Sequence, residues 1–260
     1  MSTVDLPFGR TRTTVAELRG RIDVETACEE QVSADVSAPQ EAVDSFLESI
    51  PSLLVWLEEH GREYPWRRTT DPWQVYATEI LLQRTRSDAV DEIYADFFTR
   101  YPDPDTLLVA NEDRLRETVR PLGFVNHRVR TLREAAELCV DEHDGDVPRD
   151  IEALQRPWRV GPYTARASLL FAFGEPLAIV DTNTARITGR VFDYPLPSQP
   201  HKSTSLYRLL DALVPSDPPL ARAFNLALLD LGAMTCTIEN PDCENCPLAP
   251  TCAYVEANRN

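Results

Sequence analysis

Lysine is almost missing from this chain. Lys202 is the only one among 26 basic residues, the rest are arginine, and 42 carboxylates give a net charge of −16. An excess of carboxylates with little lysine reads as adaptation to high salt, where surface acidity keeps a protein soluble although charge repulsion is screened. The acidity therefore describes the solvent more than the partner, and an arginine-rich face for nucleic acid can coexist with an acidic remainder. Long apolar runs are also missing: none approaches the roughly eighteen residues needed to cross a bilayer. The N-terminus shows no charged-then-apolar signal pattern. These absences exclude a membrane partner and a secreted protein, and predict cytoplasmic localisation. Strand-like alternation is absent too, which leaves an all-α fold: from Ala42 onward helical patterns follow one another with short Pro- or Gly-marked breaks. With 260 residues and 43% apolar content the chain can bury a core as one large or two closely packed domains. Residues 1–42 show no sustained period and read as an acidic N-terminal arm of unknown role.

Cysteine is scarce but concentrated. Of six, Cys236, Cys243, Cys246 and Cys252 form a Cys-x6-Cys-x2-Cys-x5-Cys cluster near the C-terminal end. Four soft thiolates so close in sequence can surround one ion or one cluster. Structural zinc sites usually pair two Cys-x2-Cys knuckles, and only Cys243 and Cys246 make one here, so the spacing favours a 4Fe-4S cluster over zinc or disulfides. Cys139, in an apolar helical pattern, reads as a small buried hydrophobe.

Two carboxylates stand in apolar settings. Glu79 lies in the pattern of residues 73–84, which follows the Asp71-Pro72 helix start and is apolar almost all round. A carboxylate there must be paired, protonated or exposed to a wet cleft, so Glu79 is either functional or the partner of Arg84 or Arg128. Asp181 follows the apolar residues 177–180 and precedes a helical pattern over residues 182–191, the place of an N-cap, where a helix terminus favours the ionised form. A tunable Glu and an ionised Asp are the pair that glycosidic chemistry uses, one handling protons and the other stabilising an oxocarbenium-like sugar. Between them, Trp158-Arg159-Val160-Gly161-Pro162-Tyr163-Thr164 reads as a tight turn opening a helix. It is either an ordinary helical hairpin or a helix-hairpin-helix that presents backbone N–H groups to a phosphate.

From about Tyr64 to Tyr254 the chain resembles the helix-hairpin-helix DNA glycosylases related to endonuclease III, the adenine mismatch glycosylases and the archaeal thymine mismatch glycosylases. The resemblance is carried, in order, by Pro65-Trp66-Arg67, Asp71-Pro72, Thr78-Glu79-Ile80-Leu81-Leu82-Gln83-Arg84-Thr85, Leu122-Gly123-Phe124, Val160-Gly161-Pro162-Tyr163-Thr164-Ala165, Val180-Asp181-Thr182-Asn183, Phe224-Asn225, Leu229-Asp230-Leu231-Gly232-Ala233-Met234 and the cysteine tetrad. It implies two helical lobes with a DNA-binding cleft between them, within a glycosylase core of residues 43–260. Residues of about 72–188 would form the hairpin lobe, and about 43–71 with 189–260 the cluster lobe. A 4Fe-4S cluster is implied, supporting a DNA-facing loop between Cys236 and Cys243. The family's hairpin usually reads Pro-Gly-Val-Gly, so Arg159 stands where the first glycine is expected. If that position needs positive φ, arginine should weaken or re-aim the turn, although its guanidinium could itself reach a phosphate.

The resemblance implies a mismatch-directed base excision repair enzyme that extrudes its target base. Catalytic roles fall to Asp181, for the sugar charge and the water, and to Glu79 and Tyr163, for the departing base. Phe124 resembles the wedge residue; Gln83 and Arg84 are candidates for the opposite strand; Val160, Gly161 and Thr164 belong to the hairpin contact with DNA. Family members that also cleave the backbone carry lysine where this chain has Tyr163, so a monofunctional glycosylase without lysine-dependent lyase activity is expected. Tyrosine there resembles the thymine mismatch branch, which makes thymine or uracil opposite guanine the expected target. The partner would be double-stranded DNA containing a mismatch, bound by a monomer. Residues 229–234 look closer to the adenine branch, the nearest alternative, but the chain ends eight residues after Cys252 and leaves no room for the further domain that branch uses. A non-catalytic iron-sulfur DNA-binding protein is the alternative from another class.

Overall fold

A computed structural model of the chain describes residues 8–258. Among them every regular element is helical: α1 (Val15–Arg19), α2 (Val24–Ser33) and α3 (Pro39–His60), then α4 (Pro72–Leu81), α5 (Ser87–Arg100), α6 (Pro104–Val109), α7 (Glu112–Val119), α8 (Val125–Glu142), α9 (Ile151–Leu154) and α10 (Pro162–Phe173), then α11 (Thr182–Phe192), α12 (Thr204–Leu213), α13 (Pro218–Met234) and α14 (Ala253–Ala257). Among the described residues no helix is long and apolar enough to cross a membrane. The abundant carboxylates set many of the helix starts. Asp23, Asp71, Asp103, Asp150, Asp181 and Asp217 each accept a backbone N–H of the first turn that follows. Such a cap satisfies amides that the helix itself cannot, and its charge suits the N-terminal end of the dipole.

The chain forms two compact units. One is continuous, Glu63–Glu175. Its centre is α4, where Trp73 and the run from Val75 to Leu81 are all buried and which packs against α10, α8 and α5. Two buried polar tips find carbonyls: Tyr76 Oη donates to Leu154 O at 2.8 Å, and Trp73 Nε1 donates to Tyr101 O at 3.1 Å. The helix stops at Leu81, three residues before the expected end. There the buried Arg128 of α8 donates to the carbonyls of Ile80, Leu81 and Gln83 at 2.7, 2.8 and 3.1 Å. Arg84 turns left-handed at φ +54°. A guanidinium that satisfies the last carbonyls replaces the next helical turn.

The other unit combines the described residues up to Arg62 with those from Pro176 onward. Within it α3 packs against α13, α2 and α1, α2 against α12, and α11 against α13 and α14. This division differs from the expected lobes: residues 63–71 belong with the hairpin unit, and residues 176–188, with Asp181, belong with the cysteines. The expected arm differs as well. Its residues 1–7 lie outside the described residues, but α1 and α2 bury Leu18 and Ala27, and Glu30 of α2 pairs with Arg208 of α12 at 2.9 Å. One short helix and one whose buried face includes Glu30 and Gln31 give no apolar period to read.

Candidate active site

Asp181 is fixed by its own helix. Its Oδ1 accepts the N–H groups of Asn183 and Thr184 at 2.8 and 2.7 Å, its Oδ2 accepts from Asn183 Nδ2 at 3.1 Å, and its N–H donates to Thr184 Oγ1 at 2.9 Å. This reciprocal capping box leaves the half-buried carboxylate one orientation. The preceding segment is pinned too, with Ile179 N–H donating to Asn225 Oδ1 at 2.9 Å and Ala178 N–H to Asp211 Oδ1 at 2.8 Å. From Asp181 the hydrogen bonds run on. Asn183 Oδ1 accepts from Arg186 Nη2 at 2.9 Å, and the same guanidinium donates to Gly232 O at 2.7 Å and Cys236 O at 2.8 Å. Gly232 allows this close approach of α11 and α13, since a Cβ there would lie 2.5 Å from Asn183 Cβ.

The same helix reaches the cysteines. Arg190 Nη1 stands 3.3 Å from Cys236 Sγ and also donates to Thr237 O at 2.6 Å, while Cys252 Sγ donates to Arg190 O at 3.4 Å. None of the four is in a disulfide. Burial pushes the Cys246 thiol up to about 11, and the charges of Cys236, Cys252 and Cys243 add to the rise; Cys252 is raised by burial and by the charges of Cys236 and Cys243. Among the described residues no three His, Cys, Asp or Glu side chains are gathered tightly enough to coordinate a metal as they stand. The donor set nonetheless fits a thiolate-ligated group: four soft ligands repel one another when ionised, and a bound cation relieves that repulsion.

In the hairpin unit Glu79 is 5% exposed, and its Oε2 has no hydrogen-bond partner. Burial pushes its carboxyl up to about 8, against the opposing charge of Arg67. Neither expected partner takes it: Arg128 serves main-chain carbonyls, and Arg84 lies over the Phe124 ring at 5.1 Å. A carboxyl raised this far is mostly neutral near pH 7. Tyr163 is half-buried at the second residue of α10. Gln83 Nε2 donates to Arg159 O and to Thr164 Oγ1, both at 3.3 Å, so it ties the turn after α4 to the hairpin. Val160 and Thr164 are buried, whereas Phe124 is 50% exposed. Gly161 caps α10 without a side-chain bond, and a Cβ there would meet nothing within 4 Å. Arg84, Phe124 and Arg159 all have positive φ, at 54, 47 and 61°. Thus the hairpin keeps a left-handed residue even though arginine fills the position. Left-handed side-chain residues are strained, and two of these three, Arg84 and Phe124, stand at positions expected from the sequence to meet DNA.

Residues 77–209 match the HhH-GPD superfamily of base excision DNA repair proteins. The chain is also 36% identical over 204 residues to a thymine-DNA glycosylase of Aeropyrum pernix, covering 78% of this chain and 92% of that one. The chain belongs to the HhH-GPD superfamily. An adenine DNA glycosylase of Mycobacterium tuberculosis is 34% identical over 211 residues, 79% of this chain and 67% of that protein. Among solved structures, a thermostable thymine-DNA glycosylase superposes with a TM-score of 0.76 at 31% identity, covering 85% of this chain and all of that one. The family region takes in Glu79, Gln83, Arg84, Phe124, the hairpin and Asp181; the cysteines lie beyond it. Sequence reading assigned no role to Asn183, Arg186 and Arg190, although their places at two, five and nine residues after Asp181 on one helix were a usable signal.

Proposed function

We propose that the protein is a monofunctional DNA N-glycosylase that hydrolyses the glycosidic bond of a thymine or uracil opposite guanine in double-stranded DNA, acting as a monomer. The observation that carries this reading is the contrast between two carboxyls: Glu79 is buried and held neutral, while Asp181 accepts two backbone amides at a helix start. The relatives named for thymine or uracil support the choice of base.

In this reading the mispaired nucleotide is extruded, and its weak pairing makes extrusion cheaper than for a matched base. As the bond between C1′ and the base nitrogen breaks, its electron pair leaves with the base. Glu79 donates a proton or, with Tyr163, hydrogen bonds to the departing base. Asp181 stabilises the positive charge on the deoxyribose and orients the water whose oxygen attaches to C1′; the water's proton passes to Asp181 or solvent. The products are a free base and an abasic site. No lyase step is expected, because position 163 is tyrosine and Lys202 lies outside the hairpin. Phe124 fills the vacated stack, and Gln83 and Arg84 face the opposite strand. Cys236, Cys243, Cys246 and Cys252 would hold a 4Fe-4S cluster, which when bound ties residues 236–252 into one loop.

A second reading, adenine opposite guanine or 8-oxoguanine, is favoured by the likeness to the Mycobacterium tuberculosis enzyme. Base release from T·G, U·G, A·G, A·8-oxoguanine and matched duplexes at high salt separates the two. Pyrimidine release opposite guanine is expected. Adenine release would replace the reading with the second one, and no release from any duplex by cluster-loaded protein would leave a DNA-binding protein without catalysis.

A further inference from the structure

Arg159 is exposed in the turn before α10, with φ at +61°. Its guanidinium lies 4.6 Å from the centroid of the Trp158 ring, on which Arg130 also rests at 4.6 Å. Trp158 is firmly placed: its N–H donates to Glu134 Oε2 at 2.6 Å, its carbonyl accepts from Thr131 Oγ1 at 2.9 Å, and its ring centroid is 4.7 Å from that of His127. The two arginines differ in one respect. Arg130 pairs with Glu134 at 2.7 Å, whereas among the described residues no carboxylate or carbonyl accepts from the Arg159 side chain. A guanidinium held over an indole leaves N–H donors free to face solvent, and the cation–π contact survives where salt screens bare charge. Phosphate oxygens are the acceptors that match such a fork.

We infer that Arg159 is a DNA phosphate contact of this chain and that Trp158 is the residue that positions it. The inference rests on the glycosylase reading. It gives the arginine in the hairpin a use: the side chain occupies a backbone conformation that glycine would adopt without strain, and supplies an ion pair that glycine could not.

The test is the affinity for an undamaged duplex as a function of salt. Each phosphate contact contributes about 0.9 to the slope of log K against log[salt], so Arg159→Gly and Arg159→Gln are each expected to flatten the slope by about that amount. Over a fourfold rise in salt the wild type should then lose about three-and-a-half-fold more affinity than either variant. Arg159→Gly relieves the positive φ, so its thermal midpoint should be unchanged or higher and its weaker binding cannot come from unfolding. Should the glycine variant prove less stable, the glutamine variant decides. Trp158→Leu should weaken binding in the wild-type background and have no further effect beside Arg159→Gln. An unchanged slope in the arginine variants overturns the phosphate contact, and equal effects of Trp158→Leu in both backgrounds overturn the positioning role. A wild-type protein that fails to bind duplex DNA would refute the glycosylase reading and this inference with it.

Discussion

Replacing Glu79 with glutamine removes a proton uptake that folding imposes on the wild-type protein. The carboxyl titrates near 4.5 when unfolded and at about 8 in the buried site, where desolvation outweighs the charge of Arg67. Because the folded value is the higher one, the wild type has its full stability below pH 4.5 and loses it as pH rises through 8. Within that window the loss is about 1.4 kcal/mol per pH unit, or roughly 3 kcal/mol by pH 7. Glutamine keeps the shape and stays neutral throughout. Urea unfolding of both proteins at constant ionic strength should therefore show the variant gaining on the wild type by about 3 kcal/mol between pH 5 and pH 8. Base release should move the other way, since a carboxamide cannot donate the proton. Stability gained while activity is lost marks a residue kept for function. Parallel pH profiles for the two proteins would show that Glu79 is not held neutral by burial and would refute the proton-donor role.

Gly161→Ala places a methyl group in open space at φ −104°, so thermal stability should hold or rise by about 0.4–1 kcal/mol, while fluorescence anisotropy shows weaker DNA binding. A destabilised variant with intact affinity would make this glycine structural instead. Gly232→Ala should do the opposite of an ordinary helical Gly→Ala change: its Cβ would meet Asn183 Cβ at 2.5 Å, and the shift of α11 should cost about 1–3 kcal/mol and slow base release together. Cys246→Ser should lower iron and acid-labile sulfide per chain; stoichiometric zinc in the wild type would contradict the cluster assignment.

Much of this site was legible because its residues act locally. Asp71-Pro72 and Asp181 announce helix starts through short-range capping, and α4 and α11 begin where these residues place them. The apolar surroundings of Glu79 were visible in the residues beside it, and its burial follows. What could not be read depends on contacts distant in sequence. Arg128 ends α4 from 47 residues away by donating to the Leu81 carbonyl, and nothing near Leu81 foretells it. Gln83 was a candidate for the opposite strand through the family resemblance, and nothing near it in sequence foretells that its amide reaches Thr164, 81 residues on. Arg159 looked like a fault in the turn, since sequence alone does not reveal that the residue keeps positive φ or that Trp158 stands beneath its guanidinium. The helices α1 and α2 escaped notice because their buried faces carry too few apolar residues to form a period.

Asp181→Asn separates a chemical role of Asp181 from its capping of α11. Asparagine caps a helix about as well as aspartate, so the thermal midpoint and the affinity for a T·G duplex should stay near wild type. Single-turnover release of thymine from that duplex should fall by at least about a hundredfold if, as proposed, this carboxylate stabilises the sugar and directs the water. Release at a rate close to wild type from the folded variant would leave Asp181 a helix cap without a catalytic role.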